Sequence, residues 1–132
     1  MTTPTTTVFR TETLDSLRRQ LGDAGGDLVA ELIALFLVQG RELVGQIETA
    51  GAAPDLIRLR AAAHKLKGST ATLGGDRLAA VCQRIETPPP AELDLDVDGV
   101  AHEVRREFEQ LAAELTHYRS SLPPKPGSPE AG

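Results

Sequence analysis

His64, Lys67 and Gly68 are the residues of this 132-residue chain whose types and spacing could do chemistry. On a helix, positions three and four residues beyond His64 share its face. A glycine inside a helix costs about 1 kcal/mol relative to alanine, so Gly68 asks for a reason. One reason is access: without a side chain there, a bulky partner can reach the imidazole. An unperturbed histidine has a pKa of about 6.5, so its neutral ring is a nucleophile near pH 7. Attack on a phosphoryl group would give a phosphoramidate, whose labile N–P bond lets the group pass onward. Charge grows on the phosphoryl oxygens in such a transfer, and a cation one turn away, Lys67, would stabilise it.

The elements that must position these residues read as helices. Met1 to Thr7 is a Thr-rich lead-in expected to be disordered, residues 8–122 a helical domain, and 123–132 a disordered Pro/Gly/Ser-rich tail. Leu14, Leu17 and Leu21 give a short first helix ending at Gly22. Gly25-Gly26 reads as a break, with Asp27 as N-cap of a long second helix. That helix shows a stripe of Leu28, Leu32, Phe36, Leu43 and Ile47, flanked by Ile33 and Leu37, with Gly40 implying close approach to a neighbour. Pro54 fits the first position of a third helix running to about Leu73, and Asp55 complements its positive end. At about 100° per residue, Leu59, Ala62, Leu66, Ser69 and Leu73 form its apolar side. Ile57, Arg60, Ala61, His64, Lys67, Gly68 and Ala71 lie opposite.

Gly74-Gly75 ends this helix and Asp76 opens a fourth, with Leu78, Val81, Cys82 and Ile85 inward and Pro88-Pro89-Pro90 as a stop. An acidic connector leads to a last helix whose seam is Val97, Val100, Val104, Phe108, Leu111, Leu115 and Tyr118. The expected fold is all-α: an antiparallel four-helix bundle with a short additional N-terminal helix as a lid.

Composition excludes several classes. Hydrophobic residues make up 40% but aromatics only 3%, which favours packed helices over a β-sandwich. Nineteen acids against 14 Lys and Arg leave a net charge of −5, which disfavours nucleic-acid binding. The basic residues nevertheless gather: Arg58, Arg60, Lys65 and Lys67 are the only charges between Leu56 and Gly75. Such a patch attracts an acidic partner and speeds its encounter. The single cysteine, Cys82, precludes an internal disulfide and a Cys-based zinc site, and it falls on an apolar stripe. No apolar run approaches the ~20 residues that span a bilayer, and the N-terminus lacks signal-peptide features. A cytoplasmic protein is expected. His102 and His117 are about 22 Å apart along one helix, too far to share a metal, and no metal site is expected.

The stretch His64-Lys65-Leu66-Lys67-Gly68-Ser69-Thr70-Ala71-Thr72-Leu73-Gly74-Gly75, with Leu78, Cys82 and Ile85-Glu86 at their spacings, closely resembles the histidine phosphotransfer (HPt) domain motif. The helix plan extends the resemblance from about Phe9 to Leu122. It implies that His64 is the phosphoacceptor, that Lys67 supports the phosphate and that Gly68 leaves room for the partner. Thr70 and Gly75 depart from the family's usual serine and alanine, small changes that bear on packing at the helix junction. The resemblance also implies partners: receiver domains of response regulators or hybrid kinases in a sensor histidine kinase pathway. The receiver brings a phosphorylatable aspartate and a bound Mg²⁺, so the chain itself needs no cofactor and is a relay intermediate rather than an enzyme. A receiver would dock on His64's face, touching Arg60, Ala61, Lys65, Lys67, Gly68 and Ala71, with Gln39 of the second helix contributing. A monomer is expected, since the last helix's seam is filled within the chain.

Blander readings remain open on the residues alone. A surface histidine can be merely solvated, a basic run merely a solvated face, and Gly68 a packing glycine. Two functional alternatives also stand. One is the phosphoacceptor domain of a chemotaxis-type histidine kinase, although no nucleotide-binding segment accompanies it here. The other is a phosphate-independent adaptor using the same face.

Overall fold

The structure, a computed structural model, describes residues 8–53, 55–86 and 97–122. The expectations placed on residues 1–7, Pro54, the triple proline, the acidic connector and the tail lie outside the described residues. Among those described, every regular element is helical: α1 (Thr11–Leu21), α2 (Gly25–Ala52), α3 (Leu56–Leu73), α4 (Asp76–Glu86) and α5 (Val97–Ser120), with a 3₁₀ turn at Gly22–Ala24. Four helices, α2 to α5, form the bundle, and α1 lies against α2 with a smaller contact on α3. Cross-helix pairs run in opposite directions along each chain, as antiparallel neighbours require. Arg77 meets Glu107 while Arg84 meets Glu103, and Gly40 faces Phe108 while Glu48 meets Arg105.

The core is aliphatic. Leu59, Leu66 and Leu73 of α3, Leu78, Cys82 and Ile85 of α4, and Val104, Phe108, Leu111 and Leu115 of α5 are fully or almost fully buried. The seams expected for α4 and α5 are therefore present, apart from Val97, whose side chain is not described. Tyr118 closes the top of the bundle, its ring edge-on to Phe9 and its hydroxyl donating to Asp15 at 2.6 Å.

Three local expectations need correction. Gly25-Gly26 is no break: the 3₁₀ turn passes directly into α2, and Asp27 lies in the first turn rather than at the cap. Gly25 is buried against the backbone of Arg18, where a Cβ would collide with a carbonyl oxygen. The apolar face of α2 is also rotated. Its buried line is Val29, Ile33, Phe36, Gly40, Val44 and Ile47, while Leu28 is 44% exposed and Leu32 and Leu43 are only partly buried. That line must pass through Gly40, because a Cβ there would sit 2.5 Å from Cε1 of Phe108. The close approach inferred from Gly40 thus fixes the helix rotation, which the leucines alone misplace. Finally, Asp55 is itself the N-cap of α3, accepting the amide hydrogen of Arg58 at 3.2 Å.

On α3, Ala63 and Thr70 are buried and Ser69 is only half-buried, because the helix packs on α2, α4 and α1 and so buries a wider arc. Gly74, at φ 86°, makes the left-handed turn into α4. The next residue, Gly75, has no room for a side chain: a Cβ would lie 2.7 Å from both Thr70 Cγ2 and Leu111 Cδ2.

Candidate functional site

The α3–α4 hairpin brings the site together. It turns at Gly74-Gly75, so residues at equal distance from the turn face each other. His64 is eleven residues before Gly75 and Glu86 eleven after it, and the two meet. The Nδ1 atom of His64 lies 2.5 Å from Oε2 of Glu86. Lys67, one turn nearer the hairpin, places Nζ 2.5 Å from Oε1 of the same carboxylate and donates to Oε1 of Gln83 at 2.8 Å. Glu86 thus bridges the histidine and the lysine.

The Lys67 ammonium, and secondarily the His64 ring, hold the Glu86 carboxyl below the ordinary carboxylate range. It is therefore ionised at neutral pH and can only accept a hydrogen bond. In the neutral ring this puts the proton on Nδ1 and the free lone pair on Nε2. The His64 side chain is 71% exposed while that of Glu86 is only 17% exposed. The ring is thus anchored through one nitrogen from below and presents the other outward. A merely solvated histidine would not be fixed in this way.

Gly68 is exposed, and a Cβ built on it meets nothing within 4 Å. Packing against a neighbouring helix does not account for it. Arg60, Ala61, Lys65 and Ala71 of α3 and Gln39 of α2 are all exposed, as a docking face needs. Lys67 differs from expectation in one respect: its ammonium is already engaged by Glu86 and Gln83 rather than free beside the ring.

Glu86 and Gln83 are the members of this cluster that motif reading leaves without a role. The signal for them was present in the equal arms of the hairpin, which place residue 64 opposite 86 and residue 67 opposite 83. The all-basic character of α3 is likewise incomplete as a picture of the site, because α4 supplies the carboxylate. Among the other candidates, Cys82 is buried, and burial pushes its thiol up to about 12. His102 and His117 are exposed on α5. Among the described residues, no three His, Cys, Asp or Glu side chains are grouped to hold a metal, and no helix is long and apolar enough to cross a membrane.

The model of the Hpt domain family matches residues 31–119, most of the bundle and all of the α3–α4 hairpin. The chain belongs to the Hpt domain family. No curated protein matches this Hpt chain in sequence. Among solved structures, it is similar to histidine-containing phosphotransfer protein B (HptB) from Pseudomonas aeruginosa PAO1, with a TM-score of 0.74. The identity is 22%, and the match covers 88% of this chain and 97% of that one. At that identity the likeness carries the fold alone, and the roles of residues in this Hpt domain rest on its own geometry.

Proposed function

We propose that this Hpt domain carries a phosphoryl group on Nε2 of His64, received from the aspartyl phosphate of one receiver domain and passed to the aspartate of another. The observation that carries the reading is the His64–Glu86 hydrogen bond, which leaves Nε2 as the outward nucleophile on an exposed ring. In the forward step the Nε2 lone pair attacks phosphorus, the N–P bond forms, and the P–O bond to the aspartate breaks with the carboxylate as leaving group. Nδ1 keeps its proton, so the phosphorylated ring is cationic and the Glu86 carboxylate stabilises it. The reverse step, with an acceptor carboxylate attacking phosphorus, restores the neutral ring and its Nε2 lone pair.

Lys67 supports the phosphoryl oxygens in this picture by shifting from Gln83 and Glu86 toward the new dianion, which requires only side-chain rotation. Gly68 leaves the receiver's backbone space beside the ring. The divalent ion of the reaction, Mg²⁺, belongs to the receiver, and the domain performs no turnover alone. Residues 8–122 are the working unit, acting as a cytoplasmic monomer, and the exposed Arg60, Ala61, Lys65, Ala71 and Gln39 contribute to docking.

The test is phosphoryl transfer from a panel of phosphorylated receiver domains with Mg²⁺, comparing the wild type with His64→Gln. Acid-labile, base-stable label on the wild type alone is expected. No label from any receiver, with partner binding intact in His64→Gln, would instead support a phosphate-independent adaptor. Label obtained only from ATP and a kinase, never from a receiver, would support a chemotaxis-type phosphoacceptor domain.

A further inference from the structure

Glu86 divides one carboxylate between two partners. Its Oε2 lies 2.5 Å from Nδ1 of His64, and its Oε1 lies 2.5 Å from the Lys67 ammonium. Oε1 is closed off from solvent and makes no well-angled hydrogen bond among the described residues, so the charge on Lys67 is what compensates it. A buried carboxylate oxygen that loses such a partner is costly, because no water replaces it.

In the phosphotransfer step Lys67 moves to the phosphoryl oxygens, and Glu86 then faces the ring alone. It keeps a cationic partner only while the phosphorylated ring retains its Nδ1 proton. Loss of that proton would set a mostly buried carboxylate, its side chain 17% exposed, against a bare nitrogen lone pair. The other ionisable groups nearby do not take over this role. Cys82 of α4 stays neutral, because burial pushes its thiol up to about 12. Glu103 of α5 is engaged by Arg84. Arg60 and Lys65 of α3 are themselves cations, and Glu42 of α2 lines the α2–α3 groove together with Lys65.

That proton governs how the phosphoryl group departs. When an acceptor carboxylate or water attacks phosphorus, the N–P bond breaks and its electron pair returns to Nε2. A ring that holds the Nδ1 proton leaves as neutral imidazole. A ring without it must leave as imidazolate, a far poorer leaving group. We propose that phosphorylation hands Glu86 over from Lys67 to the ring, and that Glu86 thereby keeps the phosphoryl group in a fast-leaving form into mildly alkaline solution. The chain is then a transit carrier whose phosphoryl group is short-lived, and not a phosphoryl store. This handover rests on the phosphotransfer reading for the movement of Lys67. It goes beyond that reading by making Glu86 the positioning residue that sets the lifetime of the phosphorylated state.

Hydrolysis tests the handover without any receiver. His64 is phosphorylated chemically with phosphoramidate in a His102→Gln, His117→Gln background, so that it alone among the three histidines takes the group. Loss of the N–P signal is then followed by ³¹P NMR across neutral and alkaline pH. A carboxylate beside the ring favours its protonated form by about 1–3 pH units. The wild-type rate should therefore hold to a pH at least about one unit higher than in Glu86→Gln, whose amide keeps the shape without the charge. Above that point the variant should be roughly tenfold slower. Lys67→Met should alter the rate at every pH alike and leave the position of the fall unmoved. Wild-type and Glu86→Gln profiles that coincide, or differ only by a constant factor, would overturn the handover. So would a Lys67→Met profile displaced to lower pH. Should Glu86→Gln fail to fold, the ¹⁵N spectrum of the phosphorylated wild-type ring in mildly alkaline solution reads the Nδ1 proton directly, and a bare Nδ1 there would also overturn it. Receivers that neither load nor unload His64 would overturn the phosphotransfer reading while the hydrolysis profiles stand.

Discussion

Gly68→Ala separates a glycine kept for a partner from one kept for the fold. The position is inside α3, it is exposed, and an added Cβ meets no atom within 4 Å. Nothing in the folded chain opposes the methyl group, so only the backbone term remains. Replacing a mid-helix glycine by alanine should then stabilise the protein by about 1 kcal/mol. For a domain of this size that raises Tm by roughly 4 °C. Phosphoryl exchange with a receiver should fall in the same variant, and Gly68→Gln should abolish it while remaining folded. Thermal and urea unfolding give the first quantity, and single-turnover transfer to and from His64 gives the second. A lower Tm would show that the glycine serves packing after all. A higher Tm with unaltered transfer would show that no partner approaches at this point.

Other outcomes follow from the same geometry. Gly40→Ala should do the opposite of Gly68→Ala, destabilising the fold by about 1–3 kcal/mol in urea unfolding, because its methyl would overlap the buried Phe108 ring. Glu86→Gln should slow transfer by roughly tenfold or more and mix the two neutral tautomers of His64, visible in the ¹⁵N shifts of the ring. Because its folded pKa is depressed, Glu86 should bridge Lys67 and His64 at neutral pH and release them only as acid takes the pH down through that value. The Cys82 thiol, raised from 9.0 to about 12 by burial and by Glu86, stays protonated in the fold while the unfolded chain ionises. Its contribution is intact below about pH 9 and should be lost as pH rises toward 12, at up to about 1.4 kcal/mol per pH unit. Cys82→Ala should flatten that part of the stability profile, and parallel profiles would refute the assignment. At the hairpin, Gly75→Ala should destabilise by about 1–2 kcal/mol, and adding Thr70→Ser should recover only part of the loss, because Leu111 Cδ2 lies as close to the new Cβ as Thr70 Cγ2 does. Strict additivity in the double-mutant cycle would show that the two positions are independent.

Much of this molecule is legible in its residues, and the failures have physical causes. The seams of α4 and α5 and the outward setting of His64 follow from apolar spacing. The helices fill one core, and their polar faces lack competing partners. The rotation of α2 is not legible from its leucines, because the helix is apolar over too wide an arc. Gly40 decides it, through a ring supplied 68 residues later by α5. Glu86 belongs to a third case. The motif includes it without giving it a role, yet the turn at Gly74-Gly75 and simple counting along the two arms place it opposite His64. The closing-off of its Oε1 from solvent required coordinates, since it depends on how closely α3 and α4 stand.

The contact between Thr70 and Gly75 ties together two positions that look independent in the sequence. A Cβ at 75 would lie 2.7 Å from Thr70 Cγ2 and 2.7 Å from Leu111 Cδ2, so a methyl group of α3 and one of α5 already fill the space that a side chain there would need. The hairpin turn is thus sealed from two sides by other residues' methyl groups. Bulk can be moved between positions 70, 75 and 111, but it cannot be added at 75 without being removed from both of the others.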